Sequence, residues 1–163
     1  MSPRFILRVL ARIWRSLGGA VAVEFAICVW LLILLMVGAM EFGRAFYHHR
    51  IATNGIRDAA RYLARVEDPA DADSQTSAQC LALTGSLDCS KDFLLSYWTD
   101  LATVQFPPKS VDNAAGTFRG GATIPIIRAT AAVAYTPPGS FLGLFGVNGI
   151  TFQLAHEQRY IGD

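Results

Sequence analysis

A continuous apolar run from Ala20 to Met40 constrains this chain more than any other feature of its sequence. A bilayer core about 30 Å thick needs about 20 helical residues to cross it. The uncharged part, Phe25–Met40, would reach only about 24 Å as a helix, whereas Ala20–Met40 would reach about 31 Å. The run therefore predicts a transmembrane helix over residues 20–40, with Glu24 slightly inside the membrane edge.

The charges on either side of the apolar run predict its orientation. Residues 1–19 carry four basic residues and no acidic one, whereas residues 20–163 hold 10 basic and 13 acidic residues. Because basic flanks stay on the cytoplasmic side, we expect the N-terminus in the cytoplasm and the chain after Met40 outside. This charge pattern describes one end of a membrane protein and gives no indication of nucleic-acid binding. The arginines that determine the topology are Arg4, Arg8, Arg12 and Arg15.

Glu24 is an expensive residue at this position, because a carboxylate within a membrane span costs about 2.5–3.5 kcal/mol on insertion scales. The cost suggests that a partner for its charge exists. Two simpler interpretations stay open at this point. The run is a secretory signal peptide cleaved near Ala39, or it is a plain signal anchor whose Glu24 touches the headgroups.

Three motifs in order resemble a known family. The first, "GGAVAVEF" at residues 18–25, resembles a class III, type IV pilin-like processing site. In such sites a prepilin peptidase cuts after a glycine, and a glutamate is the fifth residue of the mature chain. "AVEFAI" with its apolar run, "GAMEFGRAF" and "AARYLAR" are together similar to the TadE-like minor pilins, or pseudopilins, of tight-adherence systems. The resemblance is strongest over residues 18–65.

The resemblance implies a processing site and a set of partners. Its residues are Gly19, the last one removed, Ala20, the new N-terminus, Glu24 and Phe25. It further implies that Glu24 meets the N-terminal amine of a neighbouring subunit. The implied partners are a prepilin peptidase, a companion TadF-like pseudopilin, the major pilin and inner-membrane platform proteins. One departure from the family is the lack of a proline within the run, which predicts a straighter helix.

The function implied by the resemblance is that of a minor pilin needed for pilus assembly, surface adhesion and biofilm formation. We expect a single-pass protein of the bacterial inner membrane with a periplasmic C-terminal head. No enzyme is predicted, because the Walker A, G-x-S-x-G and H-E-x-x-H patterns are absent from the sequence. No cofactor or metal is expected either. The alternatives are an unprocessed single-pass assembly or sensor subunit and a secreted small binding domain.

The chain after Met40 predicts a helical extension over residues 41–66 and a head over residues 67–163. Apolar positions recur at helical spacing in the extension, although Asn54-Gly55 is a candidate break. "EDPADADSQTS", residues 67–77, predicts a helix stop and an exposed linker. Its aspartates are spaced for calcium only loosely, without the EF-hand pattern. The apolar positions of the extension are Phe42, Phe46, Ala52, Ile56, Ala59, Ala60 and Leu63.

The head is predicted to combine a disulfide, a short helix and a sheet. Cys80 and Cys89 would lie in an oxidising compartment, which favours a disulfide over two free thiols. "DFLLSYWTDLA", residues 92–102, predicts a short amphipathic helix. Alternating patterns over residues 127–135 and 150–160 predict strands of an antiparallel sheet packed on the outer half of the helix. The apolar turn 136–149 is either folded back on the sheet or a contact surface for another subunit or membrane.

These expectations define the predicted fold class: a membrane-anchored α+β protein with a long N-terminal helix and a small pilin-like head. Four parts follow in order: a basic leader over residues 1–19, a transmembrane helix over 20–40, its extension over 41–66 and the disulfide-containing head over 67–163. A head of this size depends on the disulfide and on packing against the helix, because small domains bury little surface.

Overall fold

The computed structural model describes residues 17–135, 143, 146 and 149–162. The chain forms two compact units, Met1–Phe42 and Gly43–Asp163. Helix α1, Leu17–Leu63, contributes residues to both units. The elements that follow are α2 (Ala72–Thr84), a 3-10 turn (Leu101–Thr103) and the strands β1 (Val104–Gln105), β2 (Pro108–Asp112), β3 (Thr123–Tyr135) and β4 (Ile150–Arg159). The α+β class, with a long apolar helix before a small antiparallel sheet, is confirmed.

The described part of the first unit is a helix without a core. Between residues 19 and 42 no described residue is buried, and large apolar side chains such as Phe25, Trp30 and Met36 are mostly exposed. Over the described ranges, α1 is long and apolar enough to cross a membrane, judged by its length and composition. The apolar surface of this segment is therefore free to contact lipid or other chains.

The sheet of the second unit is built around β3. Strand β4 pairs antiparallel with one edge of β3, from Ile126↔Arg159 to Tyr135↔Ile150. The short strands β1 and β2 follow each other along the opposite edge, and both are antiparallel to β3. They are separated at Phe106-Pro107, which fits the inability of proline to donate to a ladder. The two alternating patterns thus correspond to the paired strands β3 and β4.

The core of the second unit lies between the C-terminal part of α1, helix α2 and one face of the sheet. Alternate residues of β3 point into it, from Ala129 to Tyr135, as the period of two requires. The side chains of α1 enter it at helical spacing and are almost completely buried. Those contributed by α1 are Ala52, Ile56, Ala59, Ala60 and Leu63, and they meet Ala78, Ala82 and Leu83 of α2 and Val104, Ala131, Val133 and Leu154 of the sheet.

Gly55 is the point where α1 and α2 pass closest to each other. A Cβ atom at this position would lie 2.2 Å from the carbonyl oxygen of Ala82. Since real Cβ atoms do not approach backbone oxygens so closely, only glycine fits without movement of one helix. The helix continues through Asn54-Gly55 to Leu63, so the candidate break is not a break. The glycine serves helix packing instead.

Residues 67–77 are only partly the linker that the sequence predicted. Helix α2 already begins at Ala72, and the carboxylate of Asp71 accepts a hydrogen bond from the Ser74 N–H at 3.0 Å. This is N-cap geometry, which aspartate favours strongly. The acidic, small composition that indicated an exposed linker therefore also encodes a helix start.

The short helix predicted over residues 92–102 is wrong, because only Leu101–Thr103 is helical, as a 3-10 turn. The Leu94 N–H donates to the Leu83 carbonyl at 2.8 Å, and this bond ties the segment to the end of α2. The indole N–H of Trp98 donates to the Thr103 hydroxyl at 2.8 Å, and both Leu95 and Trp98 are buried. Tertiary hydrogen bonds and burial thus replace the local helical ladder.

Gly55→Ala should destabilise the second unit by about 1–3 kcal/mol, the usual cost of overpacking, since its methyl group collides with the Ala82 carbonyl. Gly43→Ala is the matched control, because no atom lies within 4 Å of a Cβ at that position. The control should be neutral or more stable by up to about 1 kcal/mol through helix propensity. Chemical unfolding of the full chain in detergent, followed by circular dichroism, measures both. Equal effects would refute the close crossing.

Candidate functional site

The predicted processing site lies in the first turns of α1. Gly19 is partly exposed, and Ala20, Glu24 and Phe25 are exposed on the helix surface. Two consecutive glycines, Gly18 and Gly19, each weaken a helix by about 1 kcal/mol relative to alanine. The glycine pair therefore lowers the helix propensity at the start of α1. The leader arginines at positions 4–15 lie outside the described residues.

The helix places Glu24 one turn after Ala20 on the same face. Four residues of helix separate them by about 6 Å along the axis. The Glu24 carboxylate makes no hydrogen bond or ion pair with another residue in the described ranges. A positive charge at the nitrogen of Ala20 would consequently lie within reach of this carboxylate, from the same chain or from a neighbour.

Cys80 and Cys89 form a disulfide in the structure, with an S–S distance of 1.98 Å and a Cα–Cα distance of 4.9 Å. The bridge closes the turn that follows α2, where Gly85 adopts a φ of 72°. Within this turn the Asp88 carboxylate accepts hydrogen bonds from Ser86 and Ser90. These bonds lower the pKa of Asp88 to about 2. The loop is thus organised by both covalent and polar contacts.

Asp68, Asp71 and Cys28 were the other groups that the sequence offered as possible metal ligands or reactive residues. Asp68 accepts a hydrogen bond from the Ala70 N–H at 2.8 Å, and Asp71 caps α2. Cys28 is a free, exposed cysteine on α1. Throughout the part of the chain that the structure describes, no group of three His, Cys, Asp or Glu residues is arranged to hold a metal ion.

The structure also forms an aromatic cluster that the sequence did not predict. His48 Nδ1 lies 3.0 Å from the hydroxyl oxygen of Tyr97. The His48 ring meets Tyr135 edge-on with a centroid distance of 5.2 Å, and Tyr135 stacks on Phe152 at 5.7 Å. His49 meets Phe152 edge-on at a centroid distance of 5.2 Å. The sequence predicted only that the two histidines lie on the helix. The structure shows that they connect α1 to the sheet.

Burial sets the protonation of this cluster. Burial, followed by the nearby charge of Arg44, lowers the pKa of His48. Burial, followed by the neighbouring Tyr135, raises the pKa of Tyr97 to about 12. The Tyr135 hydroxyl is buried and has no hydrogen-bond partner among the described residues. Near neutral pH these two shifts favour the uncharged forms of His48 and Tyr97.

The lowered pKa of His48 predicts a loss of stability in acid. The unfolded chain takes up a proton near pH 6.5, whereas the folded chain does so only at lower pH. The contribution of His48 is thus complete above about pH 6.5 and is lost as the pH falls toward the folded pKa. Urea midpoints of the full chain in detergent at about pH 7.5 and about pH 5 should differ less in His48→Gln than in the wild type. Identical pH dependence of the two would contradict this role.

Comparison with known proteins gives one match. The family model described as "TadE-like protein" matches residues 19–61. No curated protein and no solved structure matches the chain. The matched segment begins at Gly19, contains Glu24 and Phe25, and ends near the end of α1. It confirms the family resemblance on the helix and leaves the sheet unmatched.

Proposed function

Because residues 19–61 belong to the TadE-like family of Tad pilus systems, we propose that the chain is a minor pilin that a prepilin peptidase cleaves after Gly19. The observation that carries the proposal is the family match, which begins at the proposed last residue of the leader. The protein would be anchored in the bacterial inner membrane with its head in the periplasm. It would support pilus assembly and, through the pilus, surface adhesion and biofilm formation.

The proposed leader acts by charge. Its four arginines hold residues 1–19 at the cytoplasmic face, where anionic lipid contributes about 1 kcal/mol per basic residue. Removal of the leader leaves Ala20 with a free amine, whose pKa near 8 keeps it mostly protonated at neutral pH. Cleavage thus creates a positive charge one helical turn from Glu24, where the precursor has a neutral peptide bond.

The charge of Glu24 then favours assembly. At an effective dielectric of about 20, an amine about 4 Å from the carboxylate attracts it by about 4 kcal/mol. This value matches or exceeds the insertion cost of about 2.5–3.5 kcal/mol. We assign this contact to the amine of a neighbouring subunit, as the family resemblance implies, so that Glu24 is best satisfied in the assembled state.

The proposed partners contact the apolar helix surface. No described residue between 19 and 42 is buried, so this surface is available to lipid and to the helices of other subunits. The partners are the major pilin, the companion TadF-like pseudopilin and the inner-membrane platform proteins. The role is structural: the chain is a substrate of the peptidase and a component of the assembly, not a catalyst.

Intact mass of the protein from native membranes, with co-expressed prepilin peptidase, tests the cleavage. The wild type and the matched control Gly18→Ala should lose residues 1–19, whereas Gly19→Ala should keep them, because the peptidase requires the glycine before the cut. A full-length wild-type protein beside an active peptidase would support an unprocessed anchor and contradict the proposal. Loss of about 39 residues, the outcome for a secretory signal peptide, would contradict it as well.

Substitution of Glu24 tests the assembly role separately from the cleavage. Glu24→Gln removes the charge at nearly constant shape and should reduce co-purification with a tagged neighbouring pilin by at least tenfold, since about 4 kcal/mol of attraction is lost. Glu24→Asp keeps the charge and should retain most of the association. Intact mass verifies that both variants are processed. Wild-type association of Glu24→Gln would overturn the pairing with the amine.

A further inference from the structure

The second unit has two ends, which its contacts define along α1. At one end the chain terminus meets the end of the helix: the Ile161 N–H donates to the Ala64 carbonyl at 2.9 Å, and the Tyr160 hydroxyl donates to the Glu67 carbonyl at 2.8 Å. At the other end, sixteen residues earlier on the helix, His48 contacts Tyr97. Strand β3 runs between the two ends, and Tyr135 lies at the His48 end.

The His48 end carries exposed aromatic residues. Phe46 and Tyr47 of α1 are 72% and 64% exposed. Tyr97 is 38% exposed, although its ring stacks on His48 at a centroid distance of 5.6 Å. We call Phe46, Tyr47, His48 and Tyr97 the aromatic collar. Tyr97 is the member that does not belong to α1, so it fixes part of the head beside the helix.

The position of the collar along α1 indicates which surroundings it meets. Phe46 follows Met40, the last residue of the apolar run, by only six residues in the sequence. The segment around it, "GRAFYHHR" at residues 43–50, contains two arginines and no acidic residue, and Arg44 and Arg50 are exposed. Amphipathic aromatic rings next to the end of a span are typical of the lipid headgroup layer, and arginines there match its phosphates.

The protonation of the collar fits the same surroundings. The raised pKa of Tyr97 keeps its phenol neutral, and the lowered pKa of His48 keeps its imidazole uncharged near neutral pH. Neutral rings of this kind, which carry one or two polar atoms, can enter the headgroup layer without the cost of burying a charge. The charges of this end are instead carried by the long side chains of Arg44 and Arg50, which can extend toward phosphates.

We propose that the aromatic collar lies in the phospholipid headgroup layer and that Tyr97 thereby seats the head on the membrane surface. The inference rests on the membrane anchoring in the proposed function, but not on cleavage or on pilus assembly. A phospholipid surface is the occupant we choose, because residues 43–50 follow the apolar run directly in the sequence, where the headgroups of a bilayer would lie. The exposed Arg44 and Arg50 can pair with the phosphates of that layer.

Fluorescence quenching in lipid tests the proposal on the full chain. The protein is placed as one copy per nanodisc, with phosphatidylcholine brominated near the headgroup end of its acyl chains. Trp14→Phe and Trp30→Phe remove the tryptophans of the leader and the apolar run, and Trp98, which is 3% exposed, stays as a constant background. The reporter is Tyr97→Trp. Leu94→Trp is a second reporter that leaves the contact between His48 and Tyr97 intact.

The control reporter is Phe118→Trp, in the loop between β2 and β3. Phe118 is 55% exposed, which is more than Tyr97. Stronger quenching at residue 97 could therefore not result from a more exposed side chain. The loop adjoins Thr123, and the 13 residues of β3 separate Thr123 from Tyr135 by about 40 Å. The control therefore reports on the opposite end of the second unit.

The expected result is that brominated lipid removes about half of the added emission of Tyr97→Trp, with Leu94→Trp changed in the same direction and Phe118→Trp unchanged. Equal quenching at residues 97 and 118 overturns the collar but leaves the proposed pilin function untouched. Quenching of residue 97 only when two copies share a disc also overturns it and assigns the surface to a second copy. A chain that does not enter the discs refutes the membrane anchoring itself, and with it both proposals.

Discussion

The close crossing of α1 and α2 at Gly55 is the contact on which the rest of the second unit depends. The missing side chain brings the backbone of Ala82 within reach, and the alanines around it keep the two helices in contact over several turns. Small residues contribute little buried area each, so the gain comes from close packing over many atoms. This crossing sets the position of α2, and with it the start of the disulfide loop and the segment that leads to Trp98.

One helix, α1, meets two kinds of surroundings. In its first part, residues 19–42, no described side chain is buried, and its apolar surface is free to contact lipid or partner helices. In its outer part, residues such as Ile56 and Leu63 are almost completely buried in the core of the second unit. Cleavage, assembly and lipid contact, as proposed, use the first part and its border with the second. The sheet and the disulfide support the second.

Several elements were predictable because their signals are local. The helix follows from the apolar run and the spacing of its core positions, and β3 and β4 follow from alternation over nine and eleven residues. Predictions over shorter stretches were wrong where distant groups compete. Residues 92–102 look helical by themselves, but a short isolated helix is only marginally stable. The hydrogen bond from Leu94 to Leu83 and the burial of Trp98 stabilise the non-helical conformation more. The start of α2 was missed because Asp71 favours a turn and a helix cap equally.

The sequence by itself determined the long apolar helix, the charge asymmetry around it, the family resemblance and the spacing from Gly19 to Glu24, since each of these depends on neighbours along the chain. Only the tertiary structure decided the reason for Gly55 and the aromatic cluster. Gly55 looks like a weak point of a helix until the Ala82 carbonyl is placed beside it. His48, Tyr97 and Tyr135 lie far apart in sequence, and no periodicity links them. Their contact exists because α1, the segment after α2 and the end of β3 meet in one core.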